Sequence, residues 1–125
     1  MTSTTTLFFA SVNIGCADPA ALADFWGKVL RRPVTPGVTA PEVMTVGTTD
    51  PEGRPQMVFH PAPEAERVIG GFVPTLLTDH HDEEKERLTG LGARLVNEAH
   101  LPPIRLTVFA DPEGNRFQLA TVEPQ

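Results

Sequence analysis

The sequence has a single cysteine, Cys16, so it holds no internal disulfide and no metal site built from several thiolates. Basic residues are scarce: ten Lys and Arg stand against sixteen Asp and Glu, a net charge of −6. Nucleic acid and anionic membranes select basic surfaces, so neither is expected as a partner. No run approaches the ~20 consecutive apolar residues that a spanning helix needs. The opening Met1-Thr2-Ser3-Thr4-Thr5-Thr6 has no cationic stretch leading into a long apolar one, and does not read as a secretory signal. A soluble, cytoplasmic protein is the expectation. Gly-x-Ser-x-Gly and His-Glu-x-x-His are also missing.

What is present is ordinary globular material, 125 residues with 40% apolar and 21% charged. That length makes one domain able to bury roughly two-thirds of its unfolded surface. Proline is the exception. There are thirteen, and seven of them fall between Pro33 and Pro63. The acidity is lopsided as well: residues 1–62 carry five acids and four bases, and residues 63–125 carry eleven and six.

Leu7 to Cys16 alternates as a strand, with Phe8, Ala10, Val12 and Ile14 on one face and Phe9, Ser11, Asn13 and Gly15 on the other. A helix follows. Asp18 is an N-cap, Pro19 sits where its missing N–H costs nothing, and Leu22, Phe25, Trp26, Val29 and Leu30 form one apolar stripe. Pro33 ends it. Through the proline-rich stretch the spacing predicts strands over Val43–Thr48 and Gln56–His60, with Asp50-Pro51-Glu52-Gly53 as a turn.

The second half repeats this grammar. A strand is expected over Gly71–Thr78, then an acidic helix over Asp79–Leu91 that Gly90-Leu91-Gly92 ends. Glu83 and Arg87 sit at i, i+4 on it. Strands are expected over Arg94–Glu98, Ile104–Ala110 and Arg116–Val122, the last two joined by Asp111-Pro112-Glu113-Gly114. Both turns and both helix starts are 61 positions apart. Two copies of a strand–helix–strand–strand–strand unit make a paired-module domain rather than a solenoid, which needs three or more repeats.

The run Cys16-Ala17-Asp18-Pro19-Ala20-Ala21-Leu22-Ala23-Asp24-Phe25-Trp26 resembles the first helix of the glyoxalase / bleomycin-resistance / extradiol-dioxygenase (vicinal oxygen chelate) superfamily. Leu91-Gly92-Ala93-Arg94 resembles its second helix end. Phe109 to Phe117, with Asp111-Pro112-Glu113-Gly114-Asn115 inside it, resembles its final hairpin. The resemblance implies an α+β fold of two tandem βαβββ modules, about 7–62 and 68–125 within a single domain 1–125. These form a curled mixed sheet with a cleft, often completed by a second subunit. A homodimer is therefore expected.

Carried over by the alternation, the resemblance points Phe9, Ser11, Asn13, Val58, His60, Val73, Thr75, Thr107, Phe109 and Gln118 into the cleft. It points Phe117 and Leu119 toward the helices. Metal-using relatives place one ligand on the first and last strand of each module, and those positions here are Ser11, His60, Val73 and Gln118. Only His60 is a strong ligand, and valine is none. No metal and no cofactor are expected.

Other candidates have plain readings. His80 and His81 are neighbours on a helix, about 100° apart, and cannot easily share one ion; a solvated helix start is expected. Trp26 belongs to the helical stripe and Cys16 reads as a buried small hydrophobe. Pro74 is a misfit in a strand, since it lacks a ladder N–H.

The expected function is therefore a metal-free protein binding a small molecule, an antibiotic or aromatic metabolite, in its cleft. Phe9 and Phe109 would stack on it, and the net acidity favours a neutral or cationic ligand. The alternative is an enzyme of the same superfamily, a lyase, isomerase or dioxygenase. His60 would serve there as acid/base or as a metal ligand.

Overall fold

The computed structural model describes residues 9–37, 42–47, 54–67 and 71–124. Phe8 and the Asp50–Gly53 turn lie outside them. The first module comprises β1 (Ser11–Cys16), α1 (Pro19–Leu30), β2 (Val34–Pro36), β3 (Met44–Val46) and β4 (Gln56–Pro61). The second comprises β5 (Thr75–Leu77), α2 (His81–Leu91), β6 (Arg94–Leu101), β7 (Ile104–Ala110) and β8 (Arg116–Val122). Each builds a four-stranded mixed sheet of the same order, β1-β4-β3-β2 and β5-β8-β7-β6. In each, the first strand pairs parallel with the last and the other pairs are antiparallel. The repeat in the sequence is thus a repeat of topology.

Local chemistry explains α1 in full. The Asp18 side chain accepts the Ala21 N–H at 3.1 Å, and Pro19 occupies the first turn. Arg31 closes the helix in the left-handed region (φ 53°), its N–H returning to the Gly27 carbonyl. The start of α2 differs from expectation. His80, not Asp79, is its N-cap, without a side-chain cap, and Asp82, Glu83 and Glu84 in the first turn suit the helix dipole instead. Gly92 (φ 111°) ends it.

Pro74 resolves itself by standing outside the ladder. β5 begins one residue later, and the Pro74 carbonyl accepts the Gln118 N–H at 2.9 Å. The strand is therefore three residues long, shorter than the Gly71–Thr78 expected.

Both sheets turn one face to a common core. Leu22, Phe25, Trp26 and Val29 of α1 pack with Cys16, Val46 and Phe59 of the first sheet and Phe109, Phe117 and Leu119 of the second. Trp26 and Phe117 meet edge to face at 4.8 Å, and Phe109 stacks on Phe117 at 5.5 Å. Such ring pairs add about 0.5–1.5 kcal/mol each beyond their burial. The helices are joined directly. Arg87 of α2 donates to the Lys28 and Val29 carbonyls of α1 at 3.0 and 2.8 Å, where those C-terminal carbonyls lack helical partners.

Candidate functional site

With one face of each sheet committed to the core, strand alternation assigns the other. In the first sheet Cys16, Phe59 and Val46 are buried against α1. Their neighbours Ser11, Asn13 and Gly15 on β1, Gln56, Val58 and His60 on β4, and Thr45 on β3 therefore share the opposite face. The register sets them in rows: Ser11 beside Gln56, Asn13 beside Val58 and Thr45, Gly15 beside His60. Thr35 pairs with Thr45 and their hydroxyls are hydrogen-bonded at 2.6 Å. Gly15 leaves room for Ala62, whose Cβ would stand 2.8 Å from a Cβ there, and the His60 ring lies in ordinary contact beside it, its Cε1 at 3.5 Å from the same point.

In the second sheet Phe117 and Leu119 point to the core, as expected. Phe109 and Thr107 do so too, which corrects their expected place in the cleft. The antiparallel register pairs Phe109 with Phe117 and Thr107 with Leu119, and paired residues share a face. Phe109 is 0% exposed. The opposite face of this sheet is built from Leu106, Val108 and Ala110 on β7, Arg116, Gln118 and Ala120 on β8, and Thr75 on β5. Gln118 Nε2 donates to Thr75 Oγ1 at 3.2 Å. Val73 precedes the strand and is exposed, and Phe9, 62% exposed, precedes β1.

Thr107 serves a different purpose. His81, expected in a solvated helix start, is buried with its ring between two threonine hydroxyls, Nε2 at 2.8 Å from Thr107 Oγ1 and Nδ1 at 2.9 Å from Thr121 Oγ1. Thr121 donates its own hydroxyl proton to the Thr78 carbonyl at 2.8 Å. Its oxygen must therefore accept from His81 Nδ1–H, leaving Nε2 to accept from Thr107. The ring is neutral in this chain of bonds. Its pKa is lowered from the usual 6.5 by burial first and by the Arg105 guanidinium second.

Cys16 is inert by the same physics. Burial, with Glu113 and Asp18 nearby, pushes its thiol up to about 11. Its Sγ donates to the His60 carbonyl at 3.6 Å. Thiolate chemistry needs the opposite shift.

The residues that the resemblance set at metal-ligand positions do not suit a divalent ion. Ser11, His60, Val73 and Gln118 offer one imidazole, one hydroxyl and one amide, and no carboxylate. Among the described residues no group of three or more His, Cys, Asp or Glu is gathered.

Buried polar atoms in folded proteins are nearly always hydrogen-bonded. Among the described residues two side-chain atoms break this rule, Gln56 Oε1 and Arg116 Nη1. By alternation each stands on the open face of its sheet: Gln56 two residues before Val58, Arg116 two before Gln118. Neither was singled out in the sequence, although the alternation that places Val58 and Gln118 places them as well.

Among the described residues, one shallow depression of about 210 Å³ lies between Leu77 and Val122 and another of about 490 Å³ beside His100, Arg105 and Glu123. Of the expected site residues only Thr107 borders either. Large apolar side chains stay exposed on the second sheet and before it, Phe72 at 83%, Leu77 at 74% and Val122 at 61%. Among the described residues no helix is long and apolar enough to cross a membrane.

Comparison with known proteins agrees with this architecture. A superfamily member from Sphaerobacter thermophilus DSM 20745 is 23% identical, with a TM-score of 0.74 over 94% of this chain and 99% of that one. A glyoxalase/bleomycin resistance protein/dioxygenase family enzyme from Burkholderia phytofirmans PsJN is 20% identical, with a TM-score of 0.74 over 90% and 97%. TnmS3, an antibiotic binding protein from Streptomyces sp. CB03234, is 20% identical, with a TM-score of 0.72 over 97% and 100%. At these identities the likeness is one of fold. No curated protein matches the chain. The pattern of the Glyoxalase-like domain matches residues 11–120, and the chain belongs to that family.

Proposed function

We propose that this protein binds a small organic molecule on the open faces of its two sheets, without a metal, and that two copies of the chain together enclose it. One observation carries the reading. The two buried polar atoms without partners, one acceptor and one donor, both stand on those faces, and a buried group left unpaired costs about 1–3 kcal/mol. A fold keeps such a cost where a bound molecule offsets it.

The surroundings have the composition of a ligand site, apolar walls with a few polar groups. Val58, Val108 and Leu106 supply apolar surface; Ser11, Asn13, Thr45, His60, Thr75 and Gln118 supply hydrogen bonds. TnmS3, an antibiotic binding protein, has this fold, in keeping with a small-molecule ligand. The exposed Leu77 and Val122, which border one depression, support a second copy as cover, since exposed apolar surface of this kind marks an interaction site. Phe9 and Val73, exposed at the starts of their strands, would border the ligand. The cytoplasm remains the proposed location.

A thermal-shift screen of the purified chain against aromatic antibiotics and metabolites tests the reading. Saturable stabilisation by at least one class is the expected result, unchanged by a chelator. One divalent ion retained per chain, or stabilisation that the chelator removes, would overturn the metal-free reading.

A further inference from the structure

We infer that Arg116 is the anchor for a negatively charged group of the ligand, and that the ligand is an organic carboxylate with an apolar body. The inference rests on the binding reading above and adds the chemical class.

A guanidinium carries five donors, cannot lose its charge and matches a carboxylate in a two-pronged geometry. Arg116 makes no hydrogen bond or ion pair among the described residues, and its Nη1 is buried. The acids nearest in sequence are committed elsewhere. Asp111 accepts Trp26 Nε1–H at 3.0 Å, the Glu113 and Asn115 N–H groups at 2.9 Å each, and the Asn115 side-chain amide. Glu113 accepts the Ala17 and Asp18 N–H groups at 2.7 and 2.9 Å, at the start of α1. The positive charge on the open face is thus left without a counter-ion by a local network that uses up both neighbouring carboxylates.

The rest of the face fits the other part of the ligand. Arg116 pairs with Ala110, Gln118 with Val108 and Ala120 with Leu106, so the half-buried Val108 and Leu106 lie along β7 from the guanidinium, with Ala110 and Ala120 buried beside them. The overall acidity of the chain, which favoured a neutral or cationic ligand, is overruled at this point by the charge that is local to the site.

The test is a titration of the isotopically labelled full chain with benzoate and, in parallel, with benzamide, its neutral counterpart. Arg116→Met and Arg116→Lys are titrated alongside. Benzoate is expected to move the Arg116 side-chain Nε–H resonance and the Val108 and Gln118 amides saturably, and to bind at least about tenfold more tightly than benzamide. Arg116→Met is expected to abolish that preference and to melt at or above the wild-type temperature, because an unpaired buried charge is gone. Arg116→Lys is expected to keep part of the preference. Equal binding of the two probes, or a benzoate preference that survives in Arg116→Met, overturns the anchor and leaves the binding reading in place. A marked fall in the melting temperature of Arg116→Met overturns the premise that the guanidinium is unpaired. No saturable shift with either probe on any open-face residue overturns the anchor and counts against the binding reading together with it.

Discussion

The indole of Trp26 donates to the buried carboxylate of Asp111 at 3.0 Å, across 85 positions of sequence. It ties the helix of the first module to the hairpin turn of the second. Asp111 also organises that turn, through the N–H groups of Glu113 and Asn115, and the turn in turn holds the start of α1 through Glu113. One carboxylate thus sets both the joint between the modules and the point where β8, with Arg116 and Gln118, begins.

Replacing Asp111 with Ala is expected to cost about 2–4 kcal/mol, since several donors lose a charged acceptor at once and one of them, the Trp26 indole N–H, is buried. Urea denaturation measures it, and Asp111→Asn should fall between the two.

His81 predicts a pH dependence. Its pKa is lowered in the folded chain, so the unfolded chain takes up a proton first as pH falls. Its contribution to stability is complete above about 6.5, its ordinary value, and is lost as pH drops through the folded value. Comparing wild type with His81→Gln between pH 7.5 and 5 should therefore show a steeper loss in the wild type. Equal slopes would mean that the ring does not titrate with unfolding.

Two glycines should respond oppositely to alanine. At Gly15 the new methyl would stand 2.8 Å from Ala62 Cβ, a clash expected to cost about 1–3 kcal/mol. At Gly90, in the last turn of α2, nothing lies within 4 Å, and helix propensity should raise stability by about 0.5–1 kcal/mol. Denaturation midpoints of the two variants decide it.

The proposed second copy is tested at the exposed Leu77 and Val122. Leu77→Asp and Val122→Lys are each expected to shift the chain from dimer to monomer in sedimentation equilibrium while the far-ultraviolet circular dichroism is unchanged. A wild-type chain that sediments as a monomer at all concentrations would remove the second copy from the proposal.

Much of this was readable in the sequence, and the reasons are physical. Asp18, Pro19 and the Leu22–Leu30 stripe define α1 by short-range chemistry alone, and the duplicated Asp-Pro-Glu-Gly motif, 61 positions apart, announces the paired topology. Phe109 was misplaced although the signal was present. The hairpin that closes at Asp111–Asn115 pairs residue 109 with 117, so the core-facing Phe117 carries Phe109 with it. His81 was a genuine long-range surprise. Its burial depends on Thr107 and Thr121, which lie 26 and 40 positions away. Gln56 and Arg116 escaped notice for the same reason: alternation gives their face, but only the packed structure shows that they lack partners.

The central claim is that the open sheet faces, not the helices, take the ligand. The most direct measurement is a map of amide chemical-shift changes on titration with the strongest hit from a thermal-shift screen. The account predicts saturable changes at Asn13, Val58, Val108 and Gln118, with residues 81–91 of α2 unmoved. Changes confined to α2, or a hit whose binding leaves Asn13 and Gln118 untouched, would contradict it.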